Sequence, residues 1–394
     1  MRFFTAVLAA VLLAVPALAS PTPLHAVQQF SGSTSGRYIV KLKEGVSKDT
    51  VLSGLRLKAA LKLTHEWKLL NGFAGEFDAD TLNALRASAD VEYISEDGIM
   101  HTMVTQTNAP WGLARLSSSS RLSNQDTSAL TYSYTYDAAA GSGVDIFIVG
   151  LSPTDTGVFT THSQFGGRAR WGATFGGYAS ADGNGHGTHC AGTAAGSQFG
   201  VAKSANIVAV KVLSDGGSGS VADIVSGLNF VASSAASSGR PTIVSMSLGG
   251  GASTALDNAV TSLTNAGIHV AVAAGNSNTN AASTSPARAP SAVTVGASTI
   301  ADARASFSNY GAVVDVFAPG QNVISSWIGS TTATNNISGT SMATPHVAGL
   351  IAYLISTRGN TSPAAMSTLL KSLSLKGVLS GIPSGTLNDL VHNA

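Results

Sequence analysis

The sequence predicts an α/β protein with a buried, mostly parallel sheet, preceded by a smaller α+β unit. Two compositions within one chain point to two units. Of the 84 residues between Ser20 and Met103, 19 are charged, against only 23 of the 291 residues from Val104 to Ala394. In the later part, short apolar runs alternate with helical patterns, which is typical of parallel sheets buried on both faces. The earlier part alternates strand and helix patterns over a shorter length, as small α+β domains do.

The first unit begins with an alternating strand at Arg37. A helical pattern follows, and residues 71–77 then form a turn into a second strand. Asp80 is predicted to cap a second helix, because an aspartate side chain accepts hydrogen bonds from the free N–H groups at a helix start. After the first strand, the predicted elements are a helix at 48–61, a strand within 71–77, a helix at 80–88 and a strand at 91–94.

The second unit is predicted to hold apolar strands separated by amphipathic helices. The helix at 221–236 places Ile224, Leu228 and Val231 on one face, and a helix at 255–265 ends before Gly267. Active sites of such sheets lie at the carboxyl ends of the strands. The strands are predicted at 144–149, 206–213, 242–248, 269–274 and 292–296.

The first 19 residues have the pattern of a secretory signal. Arg2 follows Met1, residues 3–18 are mostly apolar, and small residues stand at Ala17 and Ala19. A membrane anchor is the alternative, but the run is short and no later stretch reaches the ~20 apolar residues that a spanning helix needs. We therefore expect no membrane segment and a secreted protein, with extracellular release favoured over a vacuole.

Composition excludes several classes of protein. Lysine plus arginine number 22 and aspartate plus glutamate 21, so the net charge is +1, whereas a nucleic-acid binder needs a basic face. A hydrophobic fraction of 44% and 43 glycines indicate a compact globule rather than global disorder. Cys190 is the only cysteine, so an intramolecular disulfide is impossible.

Three motifs supply a carboxylate, an imidazole and a hydroxyl. Asp155 follows the first strand of the second unit, His186 stands in a glycine-rich helix start, and Ser341 begins a long helix. A serine hydroxyl becomes a nucleophile when a neutral imidazole takes its proton, and a carboxylate on the other ring nitrogen fixes the tautomer. These residues therefore predict catalysis by a serine nucleophile.

The order of the three residues separates two classes of hydrolase. Asp, His and then Ser is one known order, whereas the α/β-hydrolases run Ser, Asp, His. The context Gly-Thr-Ser-Met-Ala around Ser341 also lacks a Gly-x-Ser-x-Gly elbow. An esterase or lipase is therefore disfavoured. Asn276, after a strand, adds a side-chain amide that can stabilise the oxyanion formed during attack on an amide.

At this point the chain resembles the subtilisin-type serine proteases, in particular their proteinase K-like branch. The sequences HGTHCAG, VAAGN and GTSMATPHVAG carry the resemblance, which extends from Arg37 to the C-terminus. It implies a three-layer αβα subtilisin-like fold with a mostly parallel sheet, preceded by a small ferredoxin-like α+β propeptide. It also implies that Asp155, His186 and Ser341 form the triad and that Asn276 is the oxyanion donor.

The same resemblance implies how substrates bind and how the precursor is processed. Residues 247–249 (Ser247, Leu248 and Gly249) would form an edge that pairs with an extended peptide. Small residues around Ala273 and Gly275 suggest a roomy pocket, and hence broad specificity with an apolar or aromatic preference. Residues 20–103 would be a self-cleaved inhibitory propeptide and residues 104–394 the peptidase, which we expect to be a monomer.

No cofactor is expected for catalysis, but the resemblance implies a structural calcium ion. The carbonyl groups of Pro290 and Ala292 and the carboxylate of Asp315 would hold it, since oxygen ligands suit calcium. The alternative is that Asp315 is simply a carboxylate at a strand end.

One departure from the family pattern precedes the catalytic aspartate. Residues 150–154 stand between the first strand and Asp155, where the family runs directly into Asp-Thr-Gly, and Pro153 cannot donate to a sheet. They could form an extruded loop that leaves Asp155 in place, or derive from a mis-assigned coding boundary. Alternatively, they displace Asp155 and make the chain a catalytically impaired relative.

Overall fold

The computed structural model describes residues 24–30, 34–56, 62–100, 102–150 and 157–393. The predicted signal segment and Asp155 lie outside these residues, as does the predicted insertion except for Gly150. The chain divides into two compact units, Met1–Ile99 and Met100–Ala394.

The first unit is an α+β domain, as predicted. Within its described residues, the strands form a sheet in the order β1-β5-β2-β4-β3. Leu52 on the first helix and Leu85 on the second are buried in the same apolar core as Val40, Phe73 and Ile94 of the sheet. The elements are β1 (Val27–Gln28), β2 (Thr34–Leu42), α1 (Lys48–Arg56), β3 (Lys62–Trp67), β4 (Gly72–Glu76), α2 (Ala79–Ala87) and β5 (Val91–Gly98).

Several details of this unit differ from the sequence prediction, among them the short strand β1, which was not predicted. The cap of α2 is Asp78, whose carboxylate accepts the N–H of Thr81 at 2.8 Å, while Asp80 lies inside the first turn. The prediction also missed β3, an edge strand without a fully buried residue. An edge strand with few apolar residues lacks the alternation by which strands are recognised.

The second unit carries the long chain of alternating strands and helices. Its first half contains β6 (Met103–Ala109), α3 (Trp111–Leu116), β7 (Tyr132–Asp137), β8 (Asp145–Val149), β9 (Ala169–Thr174), α4 (His186–Ala195), β10 (Asn206–Lys211), α5 (Val221–Ser238), β11 (Thr242–Met246) and β12 (Gly250–Gly251). Its second half contains α6 (Thr254–Asn265), β13 (His269–Ala273), β14 (Thr284–Ser285), β15 (Val293–Ser298), β16 (Val316–Pro319), β17 (Val323–Ser326), β18 (Thr334–Ile337), α7 (Thr340–Arg358), α8 (Pro363–Leu373), β19 (Leu375–Lys376) and β20 (Asp389–Leu390).

The main sheet confirms the predicted parallel arrangement. Within the described residues it has nine strands in the order β19-β20-β16-β15-β13-β11-β8-β10-β9, and each neighbouring pair is parallel except β19 with β20. Strands in the middle of a parallel sheet are covered on both faces, which explains their continuous apolar sequences.

The two faces of this sheet bury different helices. In β8, Ile146 and Ile148 join the core that contains residues of α4 and α7, whereas Phe147 and Val149 join the core that contains residues of α5 and α6. Alternate side chains of a strand point to opposite faces, so the domain has three layers. Among the described residues, no helix is both long and apolar enough to cross a membrane.

Candidate active site

The predicted site residues follow three neighbouring strands of the sheet. Asn276 lies three residues after β13, and residues 247–249 follow β11 directly. Asp155 follows β8, the next strand in the sheet, although its own position lies outside the described residues. Parallel strands end at the same edge, so this edge collects the polar groups, as expected for an α/β sheet.

His186 and Ser341 stand at the starts of two helices that meet beneath this edge. His186 is the first residue of α4 and Ser341 the second of α7, and their exposed fractions are 4% and 5%. The sulfur of Cys190 connects them, lying 3.7 Å from His186 Nδ1 and 3.4 Å from the carbonyl oxygen of Ser341. Cys190 follows His186 by four positions on α4, about one helical turn, so the two side chains lie on the same face of the helix.

Thr340 fixes the orientation of the Asn276 side-chain amide. Its Oδ1 accepts both the backbone N–H and the hydroxyl of Thr340, each at 2.8 Å. With the oxygen occupied, the NH₂ group faces away from Thr340. A Cβ built on Gly339 would lie 3.4 Å from Asn276 Nδ2 and 3.6 Å from the nitrogen of Ser341. Two N–H donors therefore border the same small space beside Ser341.

A cleft adjoins these donors. The five residues predicted to contact substrate all line one cavity of about 460 Å³, together with Asn276 and Ser341. Gly275 is required here, because its φ is +104° and a Cβ would lie 2.4 Å from Asn309 Nδ2. Asn309 is buried, and it donates to the carbonyl of Ala274 at 2.9 Å. It holds the loop that carries Asn276, a role that the sequence did not reveal.

A hydrogen-bonded chain joins α4 to the segment that follows Asp155. The carboxylate of Asp182 accepts the N–H groups of Asn184 and Gly185 at 3.0 and 2.7 Å, and the hydroxyl of Thr188 at 2.5 Å. The same hydroxyl accepts the N–H of Phe159 at 2.8 Å, four residues after Asp155. Asp182 and Thr188 are therefore positioning residues, which sequence analysis missed although Thr188 lies within the HGTHCAG motif.

We expect Thr188→Val to lower kcat/KM by about 10- to 100-fold, because a misplacement of about 1 Å in a catalytic site costs on that order. Thr188→Ser keeps the hydroxyl and is the matched control. Peptide hydrolysis gives kcat and KM separately, and thermal unfolding reports on stability. A Thr188→Val protein with a lower Tm but unchanged kcat would show that this hydroxyl acts on stability alone.

His189 and His346 are buried histidines outside the predicted triad. Burial lowers the pKa of His189 to about 3 and that of His346 to about 4. His189 Nε2 bonds to the carbonyl of Val323 and His346 Nδ1 to the carbonyl of Met342. Both imidazoles are thus neutral, packed components of the core.

The same pKa values predict a loss of stability in acid. In the unfolded chain a histidine has a pKa near 6.5, so below that pH the unfolded state binds protons that the folded state excludes. Stability is complete above about pH 6.5 and is lost as the pH falls toward the folded pKa values. We expect Tm, measured on protein with the active site blocked, to fall less steeply between pH 6.5 and 4 in His346→Gln than in the wild type. Equal slopes of Tm against pH in the two proteins would contradict the lowered pKa of His346.

The residues predicted to bind calcium line a second cavity, of about 500 Å³. Among its described lining residues, Asp315 is the one carboxylate. Its Oδ1 accepts Lys371 Nζ at 3.1 Å and its Oδ2 accepts the N–H of Thr294 at 2.9 Å. Calcium sites use six to eight oxygen ligands and draw their charge from carboxylates. A single carboxylate that is already paired with an ammonium does not fit a tightly bound divalent ion, so the chemistry of these residues disagrees with the predicted calcium site.

The fold and the cleft define a serine hydrolase. Residues 114–383 match the Subtilase family, and residues 37–103 match the Peptidase inhibitor I9 family. The chain therefore belongs to the subtilase family, and it is a serine endopeptidase with an N-terminal propeptide domain of the inhibitor type. The resemblance found in the motifs is thereby confirmed.

Similar proteins come from fungi. The chain is 46% identical to the subtilisin-like serine protease AsES of Sarocladium strictum over 378 residues, which are 95% of this chain and 93% of that protein. It is 45% identical to a cuticle-degrading protease of Metarhizium anisopliae (97% and 96% covered) and 44% identical to proteinase R of Parengyodontium album (96% and 94%).

A solved structure supports the three-layer subtilisin-like fold. The crystal structure of a cold adapted subtilisin-like serine proteinase superposes with a TM-score of 0.64 at 42% identity, covering 73% of this chain and 99% of that one. None of these comparisons supports the alternative of a catalytically impaired relative.

Proposed function

We propose that this chain is a secreted endopeptidase that hydrolyses peptide bonds through Asp155, His186 and Ser341. Ser341 Oγ attacks the peptide carbonyl while His186 takes its proton, and Asp155 orients His186. The Asn276 NH₂ group and the Ser341 N–H stabilise the oxyanion. His186 then protonates the leaving amine, and a water molecule, activated in the same way, releases the acyl group.

The observation that carries this proposal is the pair of donors beside Ser341. Thr340 holds the amide of Asn276 so that its NH₂ and the Ser341 N–H border the same space. Donors arranged around a nucleophile in this way are useful for acyl transfer, in which negative charge develops on a carbonyl oxygen. An open cleft with an edge at residues 247–249 suits an extended peptide. We infer broad specificity with an apolar or aromatic preference on the acyl side.

A fluorophosphonate probe tests the nucleophile. We expect one covalent adduct, on the peptide that contains Ser341, with labelling slowed by a competing peptide substrate. A folded protein that takes up no label, or takes it up at another serine, would overturn the proposal. Comparing hydrolysis of a peptide amide with that of a long-chain ester separates the peptidase from the disfavoured lipase.

Processing of the precursor is proposed at the Met103–Val104 bond. These residues lie in β6, where they pair with Asp137 and Tyr136 of β7. The bond must leave this pairing to enter a catalytic cleft, and after cleavage Val104 would begin β6. We further propose that residues 1–19 are removed on export, that residues 20–103 act as intramolecular inhibitor, and that the product is a monomer. N-terminal sequencing of the secreted product should give Val104.

The segment 150–154 is proposed to be an extruded loop that leaves Asp155 in place. A variant lacking these five residues should then hydrolyse peptides at a rate similar to that of the full chain. Gross inactivity of the longer form alone would instead show that the segment displaces Asp155.

No catalytic cofactor is needed for this mechanism, as in subtilases generally, many of which bind structural calcium. The cavity lined by Pro290, Ala292 and Asp315 contains none of the proposed catalytic residues, so a cation there would act on stability rather than on the reaction.

A further inference from the structure

The second cavity contains a positive charge supplied by the chain itself. Four segments line it: the end of α6, the turn before β15, Asp315 before β16, and one face of α8. Lys371 lies in the last turn of α8 and reaches Asp315 across 56 residues of sequence. The pair connects α8 to the sheet.

Asp315 is held in place before any cation approaches. Its own N–H donates to the carbonyl of Thr294, and its Oδ2 accepts the N–H of Thr294 at 2.9 Å. The side chain is 22% exposed. The remaining oxygen, Oδ1, therefore has a fixed direction, and the Lys371 ammonium lies along it at 3.1 Å.

The helix that carries Lys371 is also fixed. Met366 and Leu370, on the inner side of α8, are each 1% exposed and belong to the main core. Since neighbouring helix positions are about 100° apart, burial of Leu370 holds Lys371 at the rim of the cavity. Its side chain is 34% exposed, so the ammonium is partly shielded from solvent.

A divalent ion on Asp315 Oδ1 would have to displace this ammonium. Calcium binds oxygen at 2.3–2.6 Å, close to the place that Lys371 Nζ takes, and the two cations would repel each other there. The carboxylate and the ammonium together carry no net charge, so the cavity offers a divalent ion little electrostatic attraction.

We propose that Lys371 is the resident cation of this cavity and replaces a calcium ion at Asp315. Stability at this site is then independent of calcium, and removal of the ammonium creates a calcium site. The inference concerns stability and goes beyond the proposed peptidase function, since none of these residues belongs to the catalytic cleft.

The test compares Tm in excess CaCl₂ and in chelator for the mature enzyme blocked with a fluorophosphonate, so that self-digestion is prevented. Calcium bound elsewhere is removed from the comparison by repeating each measurement with Asp315→Asn. We call the difference between Tm in CaCl₂ and Tm in chelator the calcium shift. The quantity of interest is the part of this shift that Asp315→Asn abolishes.

We expect this part to be near zero in the wild type and roughly 5 °C in Lys371→Gln at a calcium concentration about 100 times Kd. Lys371→Arg keeps the charge and should behave as the wild type. Arg240→Gln is the matched control, because Arg240 forms its own ion pair with Asp145 at the same distance of 3.1 Å and neither residue lines this cavity. Calorimetric titration with CaCl₂ should detect one additional site in Lys371→Gln.

Two results would overturn the proposal. The first is a wild-type protein whose calcium shift depends on Asp315 and is as large as that of Lys371→Gln. Calcium would then bind to Asp315 despite the ammonium. The other is a Lys371→Gln protein that gains neither a calcium shift nor a binding site.

Discussion

Replacing Ser341 with alanine is expected to lower kcat/KM for a peptide substrate by about 10⁴- to 10⁶-fold and to leave the chain as an uncut precursor. The upper figure is the effect of losing the nucleophile in a subtilisin, and the activity that remains comes from substrate binding and the oxyanion donors. In the proposed mechanism the Ser341 hydroxyl oxygen forms the acyl-enzyme, so no neighbouring group can substitute for it. Fluorophosphonate labelling should disappear in the same variant.

The matched control for this substitution is Ser338→Ala. Ser338 lies three residues earlier, is exposed, and bonds to Asn322 rather than to a site residue. This variant should be processed and labelled as the wild type. A Ser341→Ala chain that still produces an N-terminus at Val104, when expressed without active enzyme in the same culture, would show that another protease makes the cut.

Removing the oxyanion donor is expected to have the second largest effect. Asn276→Leu should lower kcat by about 100- to 1000-fold with little change in KM, because the NH₂ group acts on charge that develops only in the transition state. This range was also obtained for the oxyanion asparagine of a subtilisin. Initial rates over a range of peptide concentrations separate kcat from KM.

Gly339→Ala adds a methyl group to the space between the two N–H donors and leaves both donor residues unchanged. The added methyl group would lie 3.4 Å from Asn276 Nδ2 and 3.6 Å from the Ser341 nitrogen, where it competes with the carbonyl oxygen. The double variant with Asn276→Leu should then lose less than the product of the two single effects, since both act on one interaction. If the loss of kcat in the double variant equals the product of the two single losses, the methyl group lies outside the oxyanion space.

The sequence determined the fold class and the chemistry in advance of the structure. Apolar strands recur between amphipathic helices, and this local pattern is sufficient to predict a buried parallel sheet. His186, Asn276 and Ser341 were predicted as site residues because their residue types and neighbours are specific to the chemistry, and that prediction is the one that the Ser341 and Asn276 variants test. The same approach failed at β3, where the residues are mostly exposed, and at the cap of α2, where two aspartates separated by one residue leave the local pattern ambiguous.

Only the tertiary structure decided which atoms meet. Thr188 and Phe159 are 29 residues apart, and Lys371 and Asp315 are 56 apart, yet each pair forms a hydrogen bond. Such contacts depend on strand register and on the rotation of a packed helix, and neither quantity is contained in a local run of sequence. For this reason the motifs were sufficient to predict the reacting groups, whereas the hydrogen bonds of Thr188 and the ammonium that pairs with Asp315 emerged only from the packing.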